Sequence, residues 1–142
     1  MKVTAMHQKL RNTVGVLLGV AFAAIGVMHF VTPERFNEIV PAYLGIPWFW
    51  TYASGVGEIC LGAGLMLPKA RPWAGRWLVV LVLLMSLANL NMWINDIPFN
   101  GNLLSTTGHV IRWIIQAVLI LVLLWLAEIL PRQNRDQSAE VT

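Results

Sequence analysis

The sequence predicts an all-α polytopic membrane protein, built as a four-transmembrane-helix bundle with a short interfacial helix between spans 1 and 2. Of its 142 residues, 57% are hydrophobic and only 12% are charged, and the mean hydropathy is +0.65. Soluble domains of this size are less apolar. The apolar residues gather into four runs, each close to the roughly 20 residues that an α-helix needs to cross a bilayer.

These four runs place the spans at about residues 13–30, 48–67, 73–94 and 108–130 of a single transmembrane domain, residues 1–131. The first run follows a basic segment, as in a signal peptide, but it continues to a full membrane length. We therefore interpret it as an uncleaved span. Residues 132–142 are polar and mixed in charge, so we expect a disordered cytoplasmic tail.

The connection between the first two spans contains the signals of a short helix. Thr32 is a residue type that caps helices, and Pro33 suits a first helical turn. Phe36 and Ile39 would then lie on one face. We expect residues 33–40 to form a helix at the membrane surface.

The distribution of lysine and arginine predicts the orientation. The N-terminal segment and the 68–76 loop each contain three such residues, whereas the 31–47 loop contains Arg35 alone and the 95–107 loop contains none. Cytoplasmic loops of membrane proteins carry the excess of positive charge. We therefore expect both termini in the cytoplasm and the protein in the plasma membrane, which is the inner membrane of a bacterium.

Two function classes are disfavoured by composition. The net charge is +3, but the basic residues fall between apolar runs and form no face with stacking aromatics, so nucleic acid is not an expected partner. The single cysteine, Cys60, excludes an internal disulfide and a metal site of several cysteines. We expect Cys60 to be a buried, inert thiol.

Glu58, near the middle of span two, is the residue around which we interpret the rest of the chain. A charge at that depth costs roughly 2.5–3.5 kcal/mol on insertion scales, so a partner charge, a proton or a polar cavity must offset it. Ser54 and Gly62 lie on the same helical face as Glu58. Small residues there, and Gly15 and Gly19 in span one, are typical of close helix packing.

Further polar residues fall in the outer half of the other spans, where they predict a polar intramembrane pocket. Span three contributes Ser86, Asn89 and Asp96 on one face. The candidate ligand-binding residues are Glu58, Asn89, Arg112, Trp113, Gln116, His29 and His109. Glu58 is the candidate proton-exchanging group. At about 1.5 Å per residue, the depths of Glu58 and Arg112 permit an ion pair between them, with Asn89 and Gln116 hydrogen-bonding around it.

Each of these residues also has a structural interpretation. A Glu58–Arg112 pair would either fix the helix register or line a ligand or proton site. Asn89 and Gln116 would make interhelical hydrogen bonds or contact a ligand. His29 and His109 lie near the ends of their spans and are expected to be interfacial. A metal site that joins them to Asp96 lacks a spacing motif, so no metal site is predicted.

Four short motifs, in order along the chain, resemble those of the DoxX-like family of small four-helix integral membrane proteins. They cover about residues 26–116. The first is His29-Phe30 with Pro33 and Pro41-x-Tyr43-Leu44, and the second runs from Ser54-Gly55-x-x-Glu58 through Gly62 and Pro68 to Arg71. The third is Ala88-Asn89, and the fourth is Arg112-x-x-x-Gln116. Leu87 and Ile114 stand where the family often has proline.

The resemblance implies a four-helix membrane protein similar to a subunit of an archaeal thiosulfate:quinone oxidoreductase. Other relatives are linked to redox maintenance or to the assembly of membrane proteins, and many have no assigned activity. We therefore expect a membrane subunit of a redox system that binds a small hydrophobic or quinone-like molecule. The chain has no evident set of metal or haem ligands, so no intrinsic cofactor is expected and redox centres would come from the ligand or a partner protein.

Two alternatives come from other functional classes. One is a non-catalytic scaffold or chaperone that packs on other membrane proteins through its small-residue faces. The other is a small transporter, for which four spans leave little room unless the protein forms a homo-oligomer. The sequence leaves open whether the protein is an enzyme.

Overall fold

The computed structural model describes residues 2–99 and 101–129, with side chains from residue 5 onward, and these residues form an all-α fold. The helices are α1 (Lys2–Val31), α2 (Pro33–Asn37), α3 (Pro47–Met66), α4 (Arg71–Ile94) and α5 (Thr106–Leu126), with a 3₁₀ turn at Ala42–Leu44. The predicted disordered tail lies outside the described residues.

Three of the helices are long and apolar enough to cross a membrane, at Ala5–Val31, Arg71–Ile94 and Thr106–Leu126. Three such helices are typical of a membrane protein. α3 has 20 residues, but Glu58 and its many aromatic, glycine and small polar residues lower its hydropathy. α1 begins well before the predicted span, because no proline or glycine interrupts the basic N-terminal segment.

The short helix α2 differs from its prediction in its C-terminal end and in its capping residue. It begins at Pro33 as expected, but it ends at Asn37 instead of residue 40. Thr32 does not cap it, because the Thr32 hydroxyl donates backwards to the Met28 carbonyl oxygen at 3.3 Å. The segment that follows is attached to α4, where Asn91 Nδ2 donates to the Ile39 carbonyl oxygen at 3.0 Å.

The four long helices pack in the order α1, α3, α4, α5, each antiparallel to the next. We call the end where α1 and α4 finish the His29 end, and the opposite end the Arg71 end. The apolar core draws on all four long helices and contains Phe22, Leu65, Ala74, Leu78, Val82, Leu123 and Leu126. Most of these core residues lie toward the Arg71 end, whereas most of the predicted polar residues lie toward the His29 end.

α1 and α3 approach so closely that glycines are required where they cross. A Cβ atom on Gly62 would lie 2.7 Å from the Gly19 carbonyl oxygen, and one on Gly26 would lie 2.7 Å from the Gly55 carbonyl oxygen. The prediction that these small residues admit another helix is confirmed, and the helices concerned pack on each other. The crossing brings the end of α1 against the middle of α3.

Two arginines join the helices at the Arg71 end. Arg71 is buried, and its Nε donates to the Leu65 carbonyl oxygen near the end of α3, while its Nη1 donates to Asn12 Oδ1 on α1, both at 2.8 Å. Arg11 forms a 2.6 Å ion pair with Glu128. Each of these arginines connects two or more helices, a role that their positions in the sequence did not indicate.

The glycine crossing predicts a large difference between two alanine substitutions in α3. Gly62→Ala places a methyl group against the α1 backbone, and we expect a loss of roughly 1–3 kcal/mol in unfolding free energy, as for other overpacked sites. Gly57→Ala is the matched control, because its methyl group would meet only the Leu81 side chain, at 3.3 Å.

Unfolding by a denaturing detergent, measured by circular dichroism, compares the two variants. Because alanine is the better helix former by roughly 1 kcal/mol, the control is expected to be neutral or stabilising. Equal effects of the two substitutions would contradict the close crossing.

Candidate functional site

The carboxylate of Glu58 faces the imidazole of His29 across the α1–α3 interface. His29 Nδ1 lies 3.3 Å from Glu58 Oε2, and both side chains are 2% exposed. The carboxylate therefore has a histidine partner instead of the predicted arginine. The close helix crossing encloses His29, so its ring is buried within the protein near the end of α1.

The backbone of α3 positions this pair. Thr51, Gly55, Glu58 and Gly62 repeat at intervals of four, three and four residues, so they form the buried face of α3. A Cβ atom on Gly55 would lie 2.8 Å from the His29 Cβ. Only glycine at this position leaves room for the histidine, one turn above the carboxylate.

The hydrogen-bond geometry leaves one carboxylate oxygen unused. His29 Nδ1 lies 2.9 Å from the Ile25 carbonyl oxygen, and because a carbonyl oxygen only accepts, Nδ1 is the donor. The same N–H faces Glu58, but its geometry is not that of a hydrogen bond. Within the described residues, Glu58 Oε2 is buried and has no hydrogen-bond partner. It is therefore available to a proton or to a donor on a ligand.

Two phenylalanines cover the pair toward the His29 end. The Phe36 ring stacks on the His29 ring with centroids 3.7 Å apart, and Phe99 meets Phe36 edge-on at 6.1 Å. From the sequence, Phe36 was expected on a helix at the membrane surface, and Phe99 was not a predicted site residue. Their contacts join segments far apart in the chain, and no local pattern marks them.

A second polar cluster joins α4 to α5. Asn89 Nδ2 donates to Gln116 Oε1 at 2.7 Å, and Gln116 Nε2 donates to the Val82 carbonyl oxygen at 3.1 Å and to the Ser86 hydroxyl. These are the interhelical hydrogen bonds that the sequence suggested for Asn89 and Gln116. The amide donors of Gln116 are both used within the protein.

The predicted ion pair between Glu58 and Arg112 is not formed. Within the described part of the chain, Arg11 forms an ion pair with Glu128, and the group that faces Glu58 is His29, which carries a charge only when protonated. The Arg112 guanidinium lies 5.5 Å from the centroid of the Phe99 ring and 3.8 Å, through Nη1, from Met92 Sδ. The pairing prediction is wrong because His29 occupies the position beside the carboxylate.

The remaining predicted residues lie on α5. His109 is 4% exposed, and its ring stacks on Trp93 with centroids 5.4 Å apart. Trp113 is half-buried beside Arg112. Asp96 is exposed beyond the end of α4. The described residues include no group of three histidine, cysteine, aspartate or glutamate side chains that could hold a metal ion.

Two apolar grooves lie on the outside of the helices, away from the predicted polar pocket. The first, of about 380 Å³, lies between α3 and α4, and the second lies beside Phe49 and Tyr52 on α3. None of the seven predicted ligand-binding residues lines either groove. Cys60 lines the first one and is exposed. The prediction that it is buried is therefore wrong, because it lies off the buried face of α3.

A double-mutant cycle measures the buried pair. His29→Leu removes the polar group that faces the buried Glu58 side chain, and we expect it to cost roughly 1–3 kcal/mol of unfolding free energy, as when a buried polar group loses its neighbour. Adding Glu58→Leu removes the stranded carboxylate and should recover most of that loss. The control cycle combines Glu58→Leu with Arg112→Leu, whose effects should add. Additivity in the His29 cycle, measured by detergent-induced unfolding, would contradict the pairing.

The family comparison covers the whole site. The model of a family described as Domain of unknown function (DUF8561) matches residues 18–127. This range includes His29, Glu58 and every other predicted site residue. No curated protein and no solved structure matches the chain significantly. The resemblance to DoxX-like proteins stays a prediction. Because the match covers more than half of its length, the chain belongs to the family described as Domain of unknown function (DUF8561).

Proposed function

We propose that the protein is a four-span integral membrane protein that binds a small hydrophobic molecule at the His29–Glu58 pair, where Glu58 exchanges a proton. One observation carries the proposal: Glu58 is buried beside His29, and its Oε2 atom has no hydrogen bond within the described chain. Ionisable residues inside transmembrane bundles mark ligand sites and proton relays.

The packing of α3 supports a fourth span. α3 lies antiparallel to α1 from the Gly15–Leu65 approach at one end to the Gly55–His29 approach at the other. A helix that follows a membrane-spanning neighbour over this length crosses the same bilayer. The Arg71 end carries the basic residues of α1 and of the 68–76 loop, which supports a cytoplasmic location for that end and for the N-terminus.

The unused carboxylate oxygen favours a ligand with a hydrogen-bond donor. A quinol hydroxyl meets this need, because it can donate a hydrogen bond to Glu58. The Phe36 ring beside His29 provides an aromatic surface. In a redox system the electrons would pass from such a ligand to a partner protein, and the resemblance to the DoxX-like family agrees with this role.

The scaffold alternative lacks the surface that was predicted for it. Gly19, Gly26, Gly55 and Gly62 are buried between α1 and α3, where they serve internal packing. A partner protein would have to use another surface. A ligand reaches the His29–Glu58 pair only when the Phe36 ring, which stacks on His29, moves aside.

Ligand binding is tested by native mass spectrometry and thermal unfolding of the protein purified in a mild detergent. We expect an adduct of small molecular mass that Glu58→Gln loses and that the exposed control Glu38→Gln retains. A short-chain quinol should raise the unfolding temperature of the wild type, and its dimethyl ether, which lacks the hydroxyl donors, should not. An equal response of wild type and Glu58→Gln to the quinol would refute the site.

The four-span arrangement predicts that the loops on either side of α3 lie on opposite sides of the membrane. In a Cys60→Ser background, Glu38→Cys should react with an impermeant maleimide in spheroplasts. Lys69→Cys should react only after permeabilisation. Reaction of both cysteines without permeabilisation would mean that α3 does not span the membrane.

A further inference from the structure

The groove between α3 and α4 lies apart from the proposed ligand site, and neither His29 nor Glu58 lines it. We call it the α3–α4 groove, and it is lined by Val56, Gly57, Cys60, Leu61, Trp73, Trp77, Val80, Leu81 and Leu84. We propose that it binds one acyl chain of an anionic phospholipid of the cytoplasmic leaflet, with the headgroup at Lys69 and Arg76. This site rests on the proposed span and orientation of α3, and it is independent of ligand binding at His29–Glu58.

The length of the groove matches one leaflet. Along α4 it extends from Trp73 to Leu84, which is eleven residues, or about 16 Å at 1.5 Å per residue. The hydrocarbon core of a bilayer is roughly 30 Å thick, so each leaflet accounts for about 15 Å. An acyl chain lying along α4 would therefore follow the groove from the interface to the membrane centre.

Two glycines of α3 shape the groove. Near the Arg71 end Gly64 lets α3 and α4 meet closely, and toward the His29 end Gly57 adds no side chain to the groove floor. At the Arg71 end, a Cβ atom on Gly64 would lie 2.8 Å from the Ala74 Cβ. Seven residues earlier in α3, Gly57 lines the groove without a side chain, and its nearest neighbour across it is Leu81. The Leu81 side chain therefore lies over Gly57 and forms part of the groove floor, and an acyl chain would lie along the groove on top of it.

The charge at the mouth of the groove selects an anionic headgroup. Arg76 follows Trp73 by three residues and precedes Val80 by four, so it lies on the flank of α4 that borders the groove. Lys69 lies in the loop that joins the two helices, and both side chains are exposed. The sequence contains no carboxylate between Glu58 and Asp96. Basic clusters at the cytoplasmic ends of transmembrane helices bind anionic lipid headgroups.

Aromatic residues complete the mouth. Trp73 and Trp77 lie next to each other with ring centroids 6.3 Å apart, and both line the groove near the basic residues. Tryptophan prefers the level of the lipid headgroups. Arg71 does not contribute, because its guanidinium is buried against α1. The headgroup contacts are therefore assigned to Lys69 and Arg76.

Cys60 provides a direct readout, since the only cysteine of the chain lines the groove. The purified protein is treated with N-ethylmaleimide in detergent that contains either phosphatidylglycerol or phosphatidylcholine, and labelling is followed by mass spectrometry. We expect phosphatidylglycerol to slow labelling several-fold more than phosphatidylcholine, and a phosphatidylglycerol adduct to survive in native spectra.

Two pairs of variants identify the headgroup and the acyl chain contacts. The double variant Lys69→Gln/Arg76→Gln should lose the difference between the two lipids, whereas Lys9→Gln/Arg35→Gln, with the same charge change elsewhere, should keep it. Val80→Trp, which fills the groove, should lose the native-spectrum adduct, whereas Val20→Trp on exposed α1 surface should keep it. Circular dichroism confirms that each variant is folded.

Three results would overturn the proposal. Equal protection by both lipids would mean a non-specific lipid annulus. Protection that survives the Lys69/Arg76 double variant but not Val80→Trp would assign the groove to an uncharged hydrophobic molecule. A lipid-independent dimer that Val80→Trp dissociates would assign it to a second copy of the chain. Glu58→Gln should leave phosphatidylglycerol binding unchanged, which separates this site from the one at His29–Glu58.

Discussion

The close crossing of α1 and α3 is the constraint on which the rest of the structure depends. Two pairs of glycines, Gly19 with Gly62 and Gly26 with Gly55, let the two backbones approach until no Cβ atom fits between them. In a membrane, helix association depends on such packing, because burying apolar side chains against each other gains little over lipid. The same approach encloses His29 and Glu58, so the packing and the polar site share one cause.

The bundle divides its chemistry between its two ends. Toward the Arg71 end the interior is mostly apolar, with Leu65, Leu78 and Leu123 completely buried and Arg71 as the buried charged residue among them. Toward the His29 end the interior contains the His29–Glu58 pair on one side and the hydrogen bonds of Gln116 on the other. Gln116 satisfies its amide donors within the protein, whereas Glu58 keeps an unused oxygen. That difference makes Glu58, and not Gln116, the better candidate for ligand chemistry.

The basic residues near the Arg71 end have two different roles. Arg71 and Arg11 point inward, where they bind main-chain carbonyl oxygens at the ends of α3 and α5. Such contacts favour the negative ends of the helix dipoles. Lys69 and Arg76 are exposed and face outward. A count of positive charges along the chain treats all four residues alike, although only the outward pair is free to meet a lipid headgroup.

The sequence by itself determined the helical class, the approximate bounds of the long helices and the position of Glu58 as a lone carboxylate within an apolar run, because apolar run length and a lone charge within it are local properties. It also indicated the glycine faces and the Asn89–Gln116 neighbourhood, because helical spacing decides which residues share a face. Only the tertiary structure decided that His29, and not Arg112, lies beside Glu58, that Phe36 and Phe99 cover the pair and that Cys60 is exposed. These contacts depend on how helices distant in sequence rotate and approach, and here that approach is set by backbone contacts between glycines.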